Sequence, residues 1–183
     1  MKTALTLSGS LRKGSYNHIL QLHMGRKLRE AGYEVTDLDL ADHPMPIFNL
    51  DLEAEHTPEA AGQLAKLFAA ADVVFIASPE YNAGATPLLV NTISWVSRQK
   101  HGQWGHAVWG IGAVSSGKYG GIAGIQHVRD SLSKLGALLA PTLLGIGPAD
   151  SAFDVNGDPV EDSIKWKVGQ MLKELTQFSR GNK

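Results

Sequence analysis

TALTLSGSLRKGSYNHILQLHMGRKLREAGYEVTDL, residues 3 to 38, changes its hydrophobic period twice. Residues 3 to 8 form a short apolar run rich in β-branched positions, as a strand does. From 17 to 31 the apolar positions recur three or four apart, and Leu20, Met24 and Leu28 make an i, i+4 stripe that reads as core packing. Gly32 stands where a helix C-cap is wanted, and 34 to 38 return to strand. Strand, helix, strand in this order is one βαβ unit, which places the two strands parallel with a right-handed crossover.

The same alternation continues outward. Further strands are predicted at 73 to 78, 107 to 115 and 138 to 146, and further helices at 58 to 71, 87 to 98, 122 to 135 and 160 to 178. Thr57-Pro58 supplies an N-cap followed by proline at the first helical position, and Gly136 supplies a second C-cap. Ile164, Val168, Met171, Leu172 and Leu175 form the stripe of the last helix. Five βα units in succession predict an α/β fold, a doubly wound parallel sheet with helices on both faces. Residues 43 to 56 and 145 to 159 carry no clear periodicity, and neither reads as a linker. The acids Asp51, Glu53 and Glu55 read as a solvated loop.

At 183 residues the chain fits one domain, 1 to 183, with a core of useful size. A formal net charge of −1, with lysines and arginines scattered along the chain, leaves no basic footprint for nucleic acid. The absence of cysteine removes disulfides, thiolate metal sites and Cys nucleophiles. Any redox chemistry would therefore come from a bound cofactor. No run approaches the roughly 18 apolar residues of a membrane span, and no signal-like h-region precedes the first strand, so the expectation is a cytoplasmic protein without a membrane partner.

Ligands of such sheets bind at the carboxyl ends of the strands, which directs attention to three loops. The first, Ser8-Gly9-Ser10-Leu11-Arg12-Lys13-Gly14-Ser15-Tyr16-Asn17, combines small residues, hydroxyls and a cation ahead of a helix N-terminus. That is a phosphate cradle by composition and position. Gly9 and Gly14 have P-loop spacing, but Ser15-Tyr16 stands where Lys-Ser/Thr is required, and the Gly-x-Gly-x-x-Gly dinucleotide fingerprint is absent. A mononucleotide fits. An ordinary βα turn capped by Ser and Asn would use the same small residues, though it would not need Arg12.

The second loop, Ser78-Pro79-Glu80-Tyr81-Asn82-Ala83-Gly84-Ala85-Thr86-Pro87, offers extended backbone to the edge of a heteroaromatic ring and Tyr81 as a flat wall. Alone it reads equally as a proline-bounded turn. The third, Ser115-Ser116-Gly117-Lys118-Tyr119-Gly120-Gly121, permits close approach to a planar ligand or simply a tight turn. The seven histidines show no metal-binding spacing, so no metal is expected, and Ser8-Gly9-Ser10 is not a hydrolase elbow.

Taken together, the segment 9 to 17, Pro79-Glu80-Tyr81-Asn82, and Asn91, Ile93, Trp95, Ser97 and Arg98 resemble the NADPH-dependent FMN reductase family of flavodoxin-like flavoproteins, particularly its quinone and chromate reductases. The similarity runs from about residue 3 to 145, with the motifs in the family's order. The resemblance implies strand order 2-1-3-4-5 and FMN at the carboxyl end of the sheet. It further implies NAD(P)H as hydride donor and a small-molecule acceptor such as a quinone, azo dye, chromate or free flavin. By position, Ser10, Arg12, Ser15, Tyr16 and Asn17 are the implied phosphate binders, with Leu11, Lys13 and Gly14 completing that loop. Pro79, Glu80, Tyr81 and Asn82 are implied contacts to the isoalloxazine, and Ser115, Ser116 and Gly117 would complete its pocket.

No side-chain nucleophile or catalytic acid is implied, since the flavin carries the chemistry. Leu88, Leu89, Val90, Ile93, Trp95 and Val96 cover more of the helix after the second loop than packing on one sheet face requires, which leaves apolar surface without a partner. Family members are commonly dimers or tetramers, so a homodimer or homotetramer is expected, built around the second loop and that helix. Pro87-Leu88-Leu89-Val90-Asn91-Thr92 replaces the family's frequent Pro-Gly-x-Leu-Lys-Asn-Ala, with Val90 where Lys often stands. A flavodoxin-type electron carrier or a flavin-binding module without NAD(P)H turnover is the alternative. Carriers tend to be strongly acidic, which this chain is not.

Overall fold

The computed structural model describes residues 1–178. Strand β1 (Thr3–Ser8) leads into helix α1 (Tyr16–Glu30), then β2 (Glu34–Leu38), α2 (Leu50–Glu55), α3 (Glu59–Ala70) and β3 (Val73–Ala77). The small strands β4 (Glu80–Tyr81) and β5 (Gly84–Ala85) precede α4 (Pro87–Ser97), β6 (Val108–Val114) and α5 (Ile122–Lys134). The chain closes with β7 (Leu138–Leu139), β8 (Leu144–Ile146) and α6 (Asp162–Gln177).

The main sheet runs β2-β1-β3-β6-β7, with β8 also on β6, and every pair in it is parallel. Counting β7 and β8 as the two halves of one fifth strand, this is the 2-1-3-4-5 order of flavodoxin-like sheets, whose winding reverses between the first and third strands. Strands β3 and β6 are buried at every residue, because helices cover both faces. Leu20, Met24 and Leu28 of α1 and Ile164, Val168 and Met171 of α6 pack on one face. Leu64 and Phe68 of α3, Leu89 and Val96 of α4, and Ile125 and Val128 of α5 belong to the core on the other. Both helical stripes read from the sequence are therefore core.

The predicted fifth strand is broken. Leu139 pairs with Trp109 and Leu144 with Gly112, so residues 140 to 143 oppose only 110 and 111. Pro141 brings no N–H to the ladder, and the displaced Thr142 is satisfied from outside the sheet by buried Glu174, whose oxygens accept from its N at 2.9 Å and its Oγ1 at 2.7 Å. The remaining differences are local. Pro58 is itself the N-cap of α3. Residues 50 to 55, read as part of an aperiodic loop, form α2 with Asn49 as its cap, and Glu53 pairs with Arg98 at 3.2 Å. A helix of six residues is too short to show a period of 3.6.

Candidate FMN site

Strand β1 ends under the cleft. Gly9 N donates to Ala77 O at 2.9 Å and Thr86 Oγ1 donates to Gly9 O at 2.7 Å, so the first loop is tied to the strand and the helix that bracket the second. A Cβ at Gly9 would lie 3.2 Å from Thr86 Oγ1 and 3.4 Å from Pro79 Cδ, tighter than side chains usually pack. Beyond it the chain turns: Arg12 N donates to Ser10 Oγ at 3.2 Å and Ser15 N to Arg12 O at 3.2 Å, with Gly14 at φ +67.

The start of α1 is furnished for an anion. Its first turn holds no acid, and Ser15, at the N-cap, makes no side-chain bond to the helix. The Arg12 guanidinium donates to Lys13 O at 3.2 Å and pairs with no carboxylate among the described residues. Ser10, Arg12, Ser15, Tyr16 and Asn17 line a cleft of about 280 Å³. Two hydroxyls, a guanidinium and a helix N-terminus are donors that fit a phosphate. Asn17 contributes differently from the others: its buried side chain donates to Val114 O at 2.9 Å and accepts from Val114 N at 3.0 Å, which ties the start of α1 to the end of β6 and leaves the second Nδ2 hydrogen and the backbone N–H for a ligand.

The other wall of the same cleft is Pro79, Glu80 and Tyr81, and its far side is Ser115 and Ser116. The structure thus joins all three loops. Tyr81 is half exposed, as a wall available to a planar ring requires. Leu11, Lys13, Gly14, Asn82 and Gly117 do not line the cleft; they shape the turns that do. Gly117 O, for instance, accepts from Gly120 N at 3.1 Å, and Gly147 presses so close to it that a Cβ there would collide.

Sequence reasoning missed Val114, Ala149 and Asp150, which also line the cleft. Ser115 N donates to Ile146 O at 3.1 Å and Ala149 N to Ser115 O at 3.0 Å, which folds the loop after the fifth strand over the site. The rule that ligands sit at strand carboxyl ends applied to that loop too. Asp150 adds a second carboxylate, beside Glu80, to a cleft rich in donors. It accepts from Tyr16 OH at 3.1 Å, and this bond, reinforced by the carboxylate's charge, holds the phenol above its ordinary pKa.

Trp95 belongs to the fold. It is fully buried, with Nε1 donating to Pro46 O at 2.7 Å and the Phe48 ring edge-on at 5.0 Å. The residues 45 to 48 therefore cover part of the apolar surface of α4 that the sequence left without a partner, while Val90 stays 42% exposed. Among the described residues no helix is long and apolar enough to cross a membrane, and no three acids or histidines are grouped to hold a metal.

A family model described as NADPH-dependent FMN reductase matches residues 2–150. The chain is 31% identical over 179 residues to an NAD(P)H-dependent FMN reductase of Pseudomonas aeruginosa, covering 96% of this chain and 94% of that protein. It is 34% identical over 178 residues to a quinone reductase of Escherichia coli, covering 95% and 92%. Among solved structures, a flavoenzyme NAD(P)H:(acceptor) oxidoreductase of Paracoccus denitrificans aligns with a TM-score of 0.80 at 25% identity over 96% of each chain.

Proposed function

The chain belongs to the NADPH-dependent FMN reductase family, and from that premise we propose that the cleft at the start of α1 holds FMN and serves NAD(P)H-driven reduction of a quinone-type acceptor. The observation that carries this is the convergence of an unsatisfied helix N-terminus, Ser10, Arg12 and Ser15 with Pro79, Glu80 and Tyr81 on one cleft. The family's activity, an NAD(P)H-dependent FMN or quinone reductase, is that of this enzyme.

When bound, FMN supplies the hydride acceptance and two-electron delivery. The protein's own residues bind and orient. Arg12 and the two serines neutralise and hydrogen-bond the phosphate, and the dipole of α1 adds to their field. Asp150, which lines the same cleft, would accept from hydroxyls of the bound cofactor. Backbone of 79 to 81 would edge the ring, with Asn82 shaping the turn behind it, and Tyr81 would wall it. No catalytic acid is assigned among these residues, since a reduced quinone can draw its protons from water.

We further propose a homo-oligomer formed through α4 and the segment packed on it. Ile47, Leu50 and Val90 are 87%, 60% and 42% exposed. Asn91 binds the segment to the helix, accepting from Phe48 N at 2.8 Å and donating to Pro46 O at 3.0 Å, so these apolar side chains belong to one region.

The deciding experiment is an absorption spectrum of the purified protein followed by anaerobic addition of NADPH and, separately, NADH. Flavin bands that bleach with either nucleotide, and return on addition of a quinone, are expected. A protein that takes up FMN but whose bands neither nucleotide bleaches would be a carrier or binding module instead.

A further inference from the structure

The hairpin of β4 and β5 carries the residues read as the ring edge, and its tip is conformationally costly. Asn82 and Ala83 lie at φ 50 and φ 59, the pattern of a type I′ turn. Asparagine tolerates the left-handed region through its short polar side chain. Alanine has no such compensation, because its Cβ crowds the following carbonyl in this region. The ribbon itself is only the two pairs Glu80↔Ala85 and Tyr81↔Gly84, too little to hold such a turn unaided.

Helix α5 holds it at both strands. Glu80 Oε2 accepts from Gly124 N at 2.8 Å, in the first turn of a helix whose N-cap, Gly121, has no side chain to offer. Ala85 N donates to His127 Nδ1 at 3.1 Å, one turn further along the same helix. The surfaces meet closely: a Cβ on Gly84 would lie 3.0 Å from His127 Nδ1, and one on Gly124 would lie 3.0 Å from Glu80 Cβ.

The second of these bonds fixes a proton. A backbone amide only donates, so Nδ1 carries the lone pair, the ring is neutral, and its proton sits on Nε2. An imidazolium would set N–H against N–H.

We infer that Glu80 and His127 are positioning residues that clamp the ring-edge hairpin to α5, and that the His127 arm releases when the imidazole takes a second proton. This rests on the reading of 79 to 82 as the edge of an FMN site. The strands packed on α5, β4 to β8, bring only Glu80 and Tyr81 as titratable groups. On α5 itself stand Arg129, which donates to Ala140 O, Asp130 one turn beyond His127, and Lys134.

Asparagine places Oδ1 where Nδ1 stands and does not titrate, so His127→Asn keeps the acceptor at every pH while His127→Ala removes it. The measurement is FMN affinity by flavin fluorescence for wild type and both variants between ~pH 8 and ~pH 5. The FMN phosphate itself takes up a proton near pH 6, so the readout is the ratio of each variant to wild type, in which that titration cancels. At ~pH 8, His127→Asn should bind within about twofold of wild type and His127→Ala about 3- to 10-fold more weakly, the scale of one net hydrogen bond. By ~pH 5, wild type should have fallen to the level of His127→Ala, with His127→Asn ahead of both. Repeating the comparison in a Glu80→Gln background should preserve the pH effect, assigning it to His127.

In the flavin-free protein, ¹⁵N spectra should show His127 protonated at Nε2 alone near ~pH 8. Exchange protection of the Ala85 amide, relative to His127→Asn, should be lost on acidification. His127→Asn as weak as His127→Ala, or a ratio of wild type to His127→Asn that is flat with pH, overturns the inference. Failure of wild type to bind FMN would instead overturn the proposed function, and the tautomer and exchange data would still judge the clamp.

Discussion

Arg12 and Asn17 belong to the same loop, yet their side chains do different work, and substitution separates them. Arg12 is exposed and, among the described residues, its side chain bonds only to a neighbouring carbonyl, so Arg12→Ala should leave the unfolding transition in place. It should weaken FMN binding by about 1.5–3 kcal/mol, the scale of a hydrogen bond to a charged group. Riboflavin, lacking the phosphate, should bind wild type and variant alike; wild type binding both flavins equally would remove the phosphate role. Asn17 is buried and satisfies both polar groups of Val114 at the end of β6. Asn17→Ala should therefore cost about 2–3 kcal/mol of stability, by leaving a buried N–H and C=O without partners. Urea denaturation measures it, and an unchanged midpoint would show that Val114 finds other partners. Both residues stand in the quoted loop, but which one faces the ligand depends on Val114, 97 residues away.

At the scale of elements, α1 is held at its start by the site and at its middle by the turn that leads into α6. His23 is buried, and its Nδ1 lies 3.0 Å from Asp158 Oδ1; Arg26 reaches the same oxygen at 2.8 Å and Gly157 O at 3.1 Å. Burial pushes the His23 imidazole below the ordinary histidine pKa, with Arg26 adding to that and the Asp158 bond opposing it. Arg26's hydrogen bond is the main cause that lowers the Asp158 carboxyl. In the range between His23's folded value and the ordinary ~6.5 of the unfolded chain, the unfolded state binds more protons, so stability falls as pH drops through it. The loss levels off once folded His23 is protonated too. Asp158 acts lower down: its contribution is present above the unfolded carboxylate value and is lost as pH falls through the folded one. Wild type should lose urea resistance from ~pH 7 to ~pH 5, and His23→Gln should show a flatter slope there. Equal slopes would mean that this tether does not govern acid sensitivity.

At the scale of the whole molecule, the proposed cleft would receive both reductant and acceptor, so steady-state kinetics should be ping-pong, with NAD(P)+ competing against the quinone. Double-reciprocal lines that intersect over a wide concentration range would require separate sites. Assembly is tested at α4. Trp95 is unsuited to the purpose because it is core, whereas Val90→Glu places a charge on an exposed position. Light scattering should give wild type a mass at least twice the 19.6 kDa chain and Val90→Glu a smaller one. A wild-type mass of one chain at micromolar concentration would remove the proposed interface.

The alternation of short buried runs with helical stripes determined the parallel sheet and its two helical layers, because burial on both faces leaves an unbroken apolar signature in each central strand. The loop from 8 to 17 was legible for a similar reason: hydroxyls, glycines and a cation ahead of a helix are local, and local chemistry is written in consecutive residues. Contacts over long separations were not. The displacement of 140 to 143 depends on Glu174, the burial of Trp95 on Pro46 and Phe48, and the place of Asp150 in the cleft on the bond between Ser115 and Ala149. In the hairpin, Gly84 and Asn82 hint at a turn, but the acceptor that holds Ala85 comes from His127 on another helix. A single sequence records which groups need partners; only the folded chain, by bringing distant residues within hydrogen-bond reach, decides which partner each one finds.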